Sequence, residues 1–319
     1  MTAILVLNWN GADDTIACLQ SLSRAEGEFC VYVIDNGSTD DSVARIQSWI
    51  NGQKVLNASI IALDKNYGFA RGNNEGLVTI RKQKYDSYLL LNNDTEVMPD
   101  FLVRLIDFSA RHPEYRVLTP KINYYFDKHK VWNCGGRRFL GFRKYFYAEK
   151  HDESVKKVEK LDVNYITGCA MFFYPELLGS DGRLLTERFF FGEEDFEFAI
   201  RMKRRGVKMA CVMNSLIYHK VHASTVNSNQ VGKLYLHFLN RYIDVRLNCS
   251  AWGYFWWKVL NYPLLLRHFV RRALPWREAF AKTHLLMREV ESKDSVTYED
   301  FCRLVIDGTY FSRCVTDKS

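Results

Sequence analysis

Leu89-Leu90-Leu91-Asn92-Asn93-Asp94-Thr95 is the stretch whose reading decides the fold. Tyr88 to Leu91 is a non-alternating apolar run, too short for an interior helix, so it reads as a buried strand of a parallel sheet. It stops abruptly in two amides, a carboxylate and a hydroxyl. Buried strands of open α/β sheets present ligand-binding groups at their carboxyl ends. Such a set suits a hydroxylated ligand with a hard cation: Asp94 can ligate Mg²⁺ or Mn²⁺ through oxygen, and Asn93 can hydrogen-bond a sugar hydroxyl. The plain structural alternative is an Asx turn after the strand, which short polar side chains favour in any case.

The pattern repeats on the amino-terminal side. Ala3–Leu7 is an apolar run ended by Asn8-Trp9-Asn10-Gly11, and Asp13 or Asp14 is placed to cap a helix carrying Ile16, Leu19 and Leu22. Val31–Ile34 is a second strand, closed by Asp35-Asn36-Gly37-Ser38-Thr39-Asp40 before a helix over 41–50. Ile60–Leu63 is a third, followed by the Gly-rich Asn66-Tyr67-Gly68-Phe69-Ala70-Arg71-Gly72 entering a helix. Alternating strands and helices over the first 110 residues predict a parallel sheet with right-handed crossovers. Asn8, Asp35, Arg71 and Asp94 are then expected to line one crevice. Neither Gly-x-Gly-x-x-Gly after the first strand nor Gly-x-x-x-x-Gly-Lys-Ser/Thr occurs, which disfavours dinucleotide and P-loop folds.

Composition sets the bounds. The 319 residues, 47% hydrophobic and 25% charged, can bury a sizeable core. A net charge of +7 fits an acidic substrate or an anionic surface. The eight cysteines contain no Cys-x-x-Cys pair and several sit in apolar runs, which reads as reduced thiols of a cytoplasmic protein. No signal peptide is expected at the start and no apolar run has transmembrane length.

Leu7–Gly11, Ile34–Ser42, Asn66–Asn74 and Leu90–Leu102 resemble the nucleotide-sugar half of family-two glycosyltransferases of the GT-A fold. The likeness is to bacterial rhamnosyltransferase-like enzymes of surface-polysaccharide synthesis, in which Asn-Asn-Asp, here 92–94, replaces the usual Asp-x-Asp. It runs from about residue 3 to residue 225 in six ordered blocks. The resemblance implies a GT-A domain over 1–228, with a nucleotide-sugar half (1–110) and an acceptor half (111–228), then a helical extension over 229–319. It implies an inverting transfer of a sugar, with rhamnose from dTDP-rhamnose favoured, from a dTDP, UDP or GDP donor to a glycan or lipid-linked glycan. Asn8, Asn10, Asp35, Asn66, Arg71, Asn92, Asn93 and Asp94 fall to the donor. Mn²⁺ or Mg²⁺ falls to Asp94 and His219, with His222 as rival.

The later blocks supply the acceptor side. Trp132-Asn133-Cys134-Gly135-Gly136 resembles the family's Trp-x-x-Gly-Gly turn, and Gly168 opens a block that lies beneath the acceptor pocket in the family. Residues 144–160, rich in Lys and Glu, read as a solvated loop. In Phe189–Arg201, helical spacing of Phe196, Ala199 and Ile200 starts a helix near Glu193 and puts Glu193, Glu194 and Asp195 in its first turn, where the macrodipole favours acids. An aromatic wall ending at Phe191 can stack a sugar and lift a neighbouring carboxylate's pKa by desolvation. The block resembles the family's Glu-Asp motif, which makes Asp195 the general base, Glu194 its neighbour and Phe191 an acceptor contact. Lys220, Ser224 and Thr225 are placed to contact a diphosphate.

Beyond residue 230 the motifs end. Residues 235–245 read as a helix, Trp252–Leu260 as an aromatic segment, and Leu264–Leu274 as a basic amphipathic one, with Leu265, Leu266, Phe269, Val270 and Ala273 opposite Arg267, His268, Arg271 and Arg272. Such a segment fits an in-plane helix at the cytoplasmic membrane face, giving membrane contact through 252–277. A catalytically silent binding module on the same fold and a nucleotidyltransferase are the alternatives. Nucleic acid is not expected as a partner, because no recognised module is present.

Overall fold

A computed structural model describes residues 1–53, 55–139, 142–221, 229–272 and 274–311. The chain forms two compact units, Met1–Leu185 with Phe198–Ala223, and Thr186–Glu197 with Ser224–Ser319.

The first unit opens with β1 (Thr2–Asn8), α1 (Ala12–Leu22), β2 (Phe29–Asp35), α2 (Ser42–Gly52), β3 (Ala58–Ala62), α3 (Gly68–Ile80) and β4 (Ser87–Asn92). These four strands are parallel, in the order β4-β1-β2-β3. The apolar runs of β4, β1 and β2 are largely buried, Ile4, Val6, Leu89 and Leu90 completely, as expected of strands covered by crossover helices, whereas β3 at the sheet edge is only partly covered. The sequence-predicted cap of α1 is corrected: Gly11 occupies the cap position without a side-chain bond. Asp13 and Asp14 lie inside the first turn, paired with Arg45 and Lys220.

The chain continues through β5 (Thr95–Val97), α4 (Phe101–Arg111), β6 (Tyr115–Tyr124), β7 (Val131–Asn133), β8 (Gly136–Phe139), β9 (Phe142–Tyr145), β10 (Lys160–Val163), β11 (Ala170–Phe173), α5 (Glu194–Arg204) and β12 (Lys208–His219). The main sheet extends in the order β10-β12-β6-β11-β4, where β11 runs antiparallel to both β4 and β6 and β12 runs parallel to β6. The result is a mixed sheet with a parallel core, flanked by helices. The segment 144–160, read as a solvated loop, is mostly exposed and irregular, and it is tethered at a few points. Asp152 accepts from Lys121 at 2.8 Å and from Asn123 at 3.0 Å, and the Val131 amide donates to the Lys150 carbonyl at 2.8 Å.

In the second unit, α6 (Gln230–Asn248), α7 (Ala251–Arg271), α8 (Trp276–Ser292) and α9 (Tyr298–Phe301) surround a core of Tyr235, Leu239, Tyr242, Leu265, Phe269, Leu286 and Leu304. Asn229 and Ser250 cap α6 and α7, and Thr297 with Asp300 forms a capping box on α9. Gly232 permits α6 to meet the turn at 302–306, since a Cβ there would lie 1.7 Å from the Leu304 carbonyl oxygen. Leu304, Val305 and Tyr310 belong to this core.

The reading of 252–274, of which Ala273 lies outside the described residues, is corrected twice. One helix runs through Pro263, which is exposed, so the missing amide falls on the outer, solvent-facing side of the helix. The face carrying Leu265 and Phe269 points into the core, not outward. The outward face of α7 is Trp252, Phe255, Trp256, Val259, Leu260 and Leu264, all large and exposed, followed by Arg267 and Arg271. Among the described residues no helix is long and apolar enough to cross a membrane.

Candidate active site

The carboxyl ends of β4, β1 and β2 carry a linked row of polar side chains. Asn93 Nδ2 donates to Thr15 Oγ1 at 3.0 Å, Thr15 Oγ1 donates to Asn8 Oδ1 at 2.7 Å, and Asn8 Nδ2 donates to Asp35 Oδ1 at 2.7 Å. Asp35 also accepts from the Ser38 amide at 3.0 Å and the Ser38 hydroxyl at 2.6 Å. Asn8 is completely buried and Asp35 nearly so. The amide of Asn8 is thus committed within the protein. Asn10 clasps the next loop, its Oδ1 accepting from the Thr39 amide at 2.8 Å. Asn66 Oδ1 accepts from Asn36 Nδ2 at 2.9 Å and from the Gly68 amide at 2.8 Å, closing the turn into α3. Arg71 lies on α3 with its guanidinium 4.1 Å from the Tyr67 ring centroid and 3.5 Å from Glu75.

Asp94 lies with Asn93 in the turn between β4 and β5, and His219 is the last residue of β12, inside that strand. Two features bring them together. β5 pairs antiparallel with the end of β12, setting Thr95 opposite His219, and the Lys220 amide donates to the Asp94 carbonyl at 3.0 Å. Asp94 Oδ1 and His219 Nε2 are 3.0 Å apart with both side chains mostly buried. Oδ1 has no hydrogen bond of proper geometry, and Nδ1 of His219 is buried without a partner. Burial pulls the imidazolium down, but Cys169 and Asp94 beside it outweigh this and hold it up, to about 10. Two ligands bound at about 2.1 Å in adjacent octahedral positions stand about 3.0 Å apart, so this spacing and donor set suit a hard divalent cation. Among the described residues no group of three or more His, Cys, Asp or Glu forms a fuller metal site. His222, Ser224 and Thr225 lie outside the described residues.

Trp132, on β7, packs edge-on against His219 with centroids 4.4 Å apart. Gly168 is buried, and a Cβ there would meet the Phe69 ring at 2.9 Å, so this glycine serves close packing of β11's approach on α3. The Asn92 backbone, held by the Cys169 carbonyl at 2.8 Å and the Thr95 hydroxyl at 2.7 Å, fixes the strand end. Thr15 and Cys169 escaped the sequence reading. Thr15 was detectable as a polar residue on the inner face of α1, alongside Leu19 and Leu22.

Phe191, Glu194 and Asp195 belong to the second unit. Glu194 and Asp195 are buried in the first turn of α5, whereas Glu193 precedes the helix with φ of 75°. Arg241 pairs with Glu193, both side chains being almost wholly buried, and its guanidinium lies 3.5 Å from the Phe196 ring centroid. Phe191 is about half exposed and stands against Phe301 at 5.4 Å.

Comparison with known proteins agrees with this architecture. The mannosyltransferase PcManGT from Pyrobaculum calidifontis, solved with GDP-Man and Mn²⁺, superposes with a TM-score of 0.56 at 13% identity, over 92% of this chain and 76% of its own. TarS residues 1–349 from S. aureus superposes at 0.51 and 16% identity, over 91% and 90%. GalNAc-T7, solved with UDP, GalNAc and Mn²⁺, superposes at 0.58 and 13% identity, over 98% of this chain and 57% of its own. No curated protein sequence matches the chain. The family model of glycosyl transferase family 2 matches residues 3–177, more than half the chain. With the sheet order and these neighbours, that match establishes the chain as a member of glycosyl transferase family 2 with the GT-A fold.

Proposed function

We propose that the chain is an inverting, metal-dependent glycosyltransferase that moves a sugar from a nucleoside-diphosphate donor to a hydroxyl of a glycan or lipid-linked glycan. The observation that carries this reading is the buried Asp94–His219 pair, held at the ends of β4 and β12 by β5. These two residues hold Mn²⁺ or Mg²⁺, with His222 as the rival ligand. The cation, when bound, supplies charge neutralisation at the leaving diphosphate. GDP-Man with Mn²⁺ on the mannosyltransferase neighbour and UDP with Mn²⁺ on GalNAc-T7 support a nucleotide sugar and a divalent ion.

Asn93, partly exposed at the end of its hydrogen-bonded row, recognises the ribose or donor sugar. Asp35, fixed by Asn8 and Ser38, and Arg71, stacked on Tyr67, contact the base and ribose. Asn8, Asn10, Asn66 and Asn92 shape the loops that do so. Asp195 removes the proton from the acceptor hydroxyl. That oxygen forms its bond to the anomeric carbon from the face opposite the leaving group, and the electron pair of the broken C–O bond goes to the diphosphate. Glu194 stands beside the base, and Trp132, Gly168 and Phe191 shape the acceptor side. Rhamnose from dTDP-rhamnose remains the favoured donor through the subgroup resemblance, and surface-polysaccharide synthesis at the cytoplasmic membrane face is the setting. Joint retention of Asp94, Asp195 and His219 weighs against a silent binding module. Asp195→Asn is expected to cut turnover by a hundredfold or more while donor affinity stays within twofold; full transfer by this variant sinks the assignment.

A further inference from the structure

The helices after residue 229 carry none of the family's sequence blocks, yet they grip the segment that delivers Asp195. Asn240 Nδ2 donates to the Phe191 carbonyl at 2.9 Å. Arg241, the next residue on α6, donates from Nε to Glu193, and its guanidinium plane covers the Phe196 ring at 3.5 Å. The Phe190 amide donates to the Val296 carbonyl at 3.0 Å, adding a contact from beyond α8. Between these anchors Gly192 and Glu193 take φ of 80° and 75° in succession. A left-handed glutamate is unfavourable, and it persists where surrounding contacts over-determine it. A charged pair this deeply buried has the same requirement.

We propose that Asn240 and Arg241 are positioning residues for transfer: they lock the turn at 191–193 and so fix the first turn of α5, on which Asp195 stands. The proposal rests on reading Asp195 as the general base. It assigns a role to a part of the chain that the sequence leaves without one. Arginine is specified by geometry, because one planar group must both donate to a carboxylate and lie flat on an aromatic ring, and lysine's point charge does only the first. A base held loosely loses rate without losing donor affinity, because orientation contributes to the transition state and not to ground-state binding.

The test compares the full chain with Arg241→Met, Arg241→Lys and the milder Asn240→Ala. Nucleoside-diphosphate release is followed from a panel of dTDP-, UDP- and GDP-sugars with Mn²⁺, and amide hydrogen exchange is followed along the chain. Arg241→Met is expected to lower kcat at least tenfold with KM for the donor within twofold, and to speed exchange at 190–197 while β1 to β4 keep their protection. Arg241→Lys recovers part of the rate, and Asn240→Ala gives a smaller loss of the same kind. Unchanged kcat in Arg241→Met overturns the proposal. So does a loss of rate accompanied by lost donor affinity and lost protection throughout the sheet, which marks general destabilisation. Should Asp195→Asn prove fully active, the base assignment falls, whereas the exchange result reports on the clamp regardless.

Discussion

Thr15 is a small side chain with a large share in the donor-side geometry. Its hydroxyl donates to Asn8 and accepts from Asn93, so it couples the end of β1 to the end of β4. Valine has nearly the same shape and no hydroxyl. Thr15→Val leaves the buried side-chain Oδ1 of Asn8 without this donor, which costs about 1–3 kcal/mol. We expect the melting temperature to fall by several degrees and diphosphate affinity to weaken through Asn93; an unchanged melting temperature would show that the row adds nothing to the fold. The same residues mark how far sequence reading reaches. Asn8, Asp35 and Asp94 stand out because a carboxylate or amide directly after a buried strand has few other reasons to be there. That Asn8 is fully buried and spent on Asp35 and Thr15 follows only from side-chain directions across neighbouring strands, which no single run of sequence encodes. His219 could be found as an imidazole near a strand end, but its approach to Asp94 depends on β5 pairing with β12 across more than a hundred residues of chain.

At the scale of elements, α7 shows how composition misleads when two faces are both apolar. Leu265 and Phe269 form a regular stripe, and it is the buried one. The outward stripe from Trp252 to Leu264 is less regular, interrupted by Pro263 and continued by arginines. Residues 251–272 contain no Asp or Glu, and Lys258 pairs with Glu291 of α8. Tryptophans on an outward face beside arginines suit the headgroup region of an anionic bilayer, with the helix lying in the plane. Trp252→Ser with Trp256→Ser should abolish co-sedimentation with vesicles containing phosphatidylglycerol and leave the melting temperature within a degree or two. Equal sedimentation of wild type with neutral vesicles would remove the anionic headgroups from the account, and none with either would remove the membrane. The solvated loop expected at 144–160 is exposed along most of its length, and Asp152 ties it to the sheet through Lys121 and Asn123.

At the scale of the whole molecule, the α/β alternation of the first 110 residues was legible because each of the four parallel strands there is built on a short apolar run closed by turn chemistry, whereas β5, Thr95-Glu96-Val97, carries no such signal. The mixed half of the sheet was not, since β11 inserts antiparallel between β4 and β6, a choice set by connections and not by local pattern. The second unit has its own pH signature. Burial first, then Glu193 and Glu197, pushes the Asp244 carboxyl up to about 8, against the pull of Arg241 and Asn248. Its unfolded value is about 3.9. The folded chain therefore keeps a proton that the unfolded chain releases, and the stability this contributes is full below about pH 4 and lost as pH rises through about 8. Melting temperatures from pH 5 to 8.5 should fall more steeply for the wild type than for Asp244→Asn; parallel curves would contradict the buried-acid assignment. The central claim, a metal-assisted diphosphate site built on Asp94 and His219, is tested most directly by thermal shift of the wild type and Asp94→Ala with dTDP, UDP, GDP or ADP in Mn²⁺, Mg²⁺ or chelator. A ligand at about a hundred times its Kd stabilises by about 2.7 kcal/mol, so the shift is readily seen. The account predicts a rise with one nucleoside diphosphate that requires the metal and vanishes in Asp94→Ala. No rise with any nucleotide, or one indifferent to both chelator and Asp94, would contradict it.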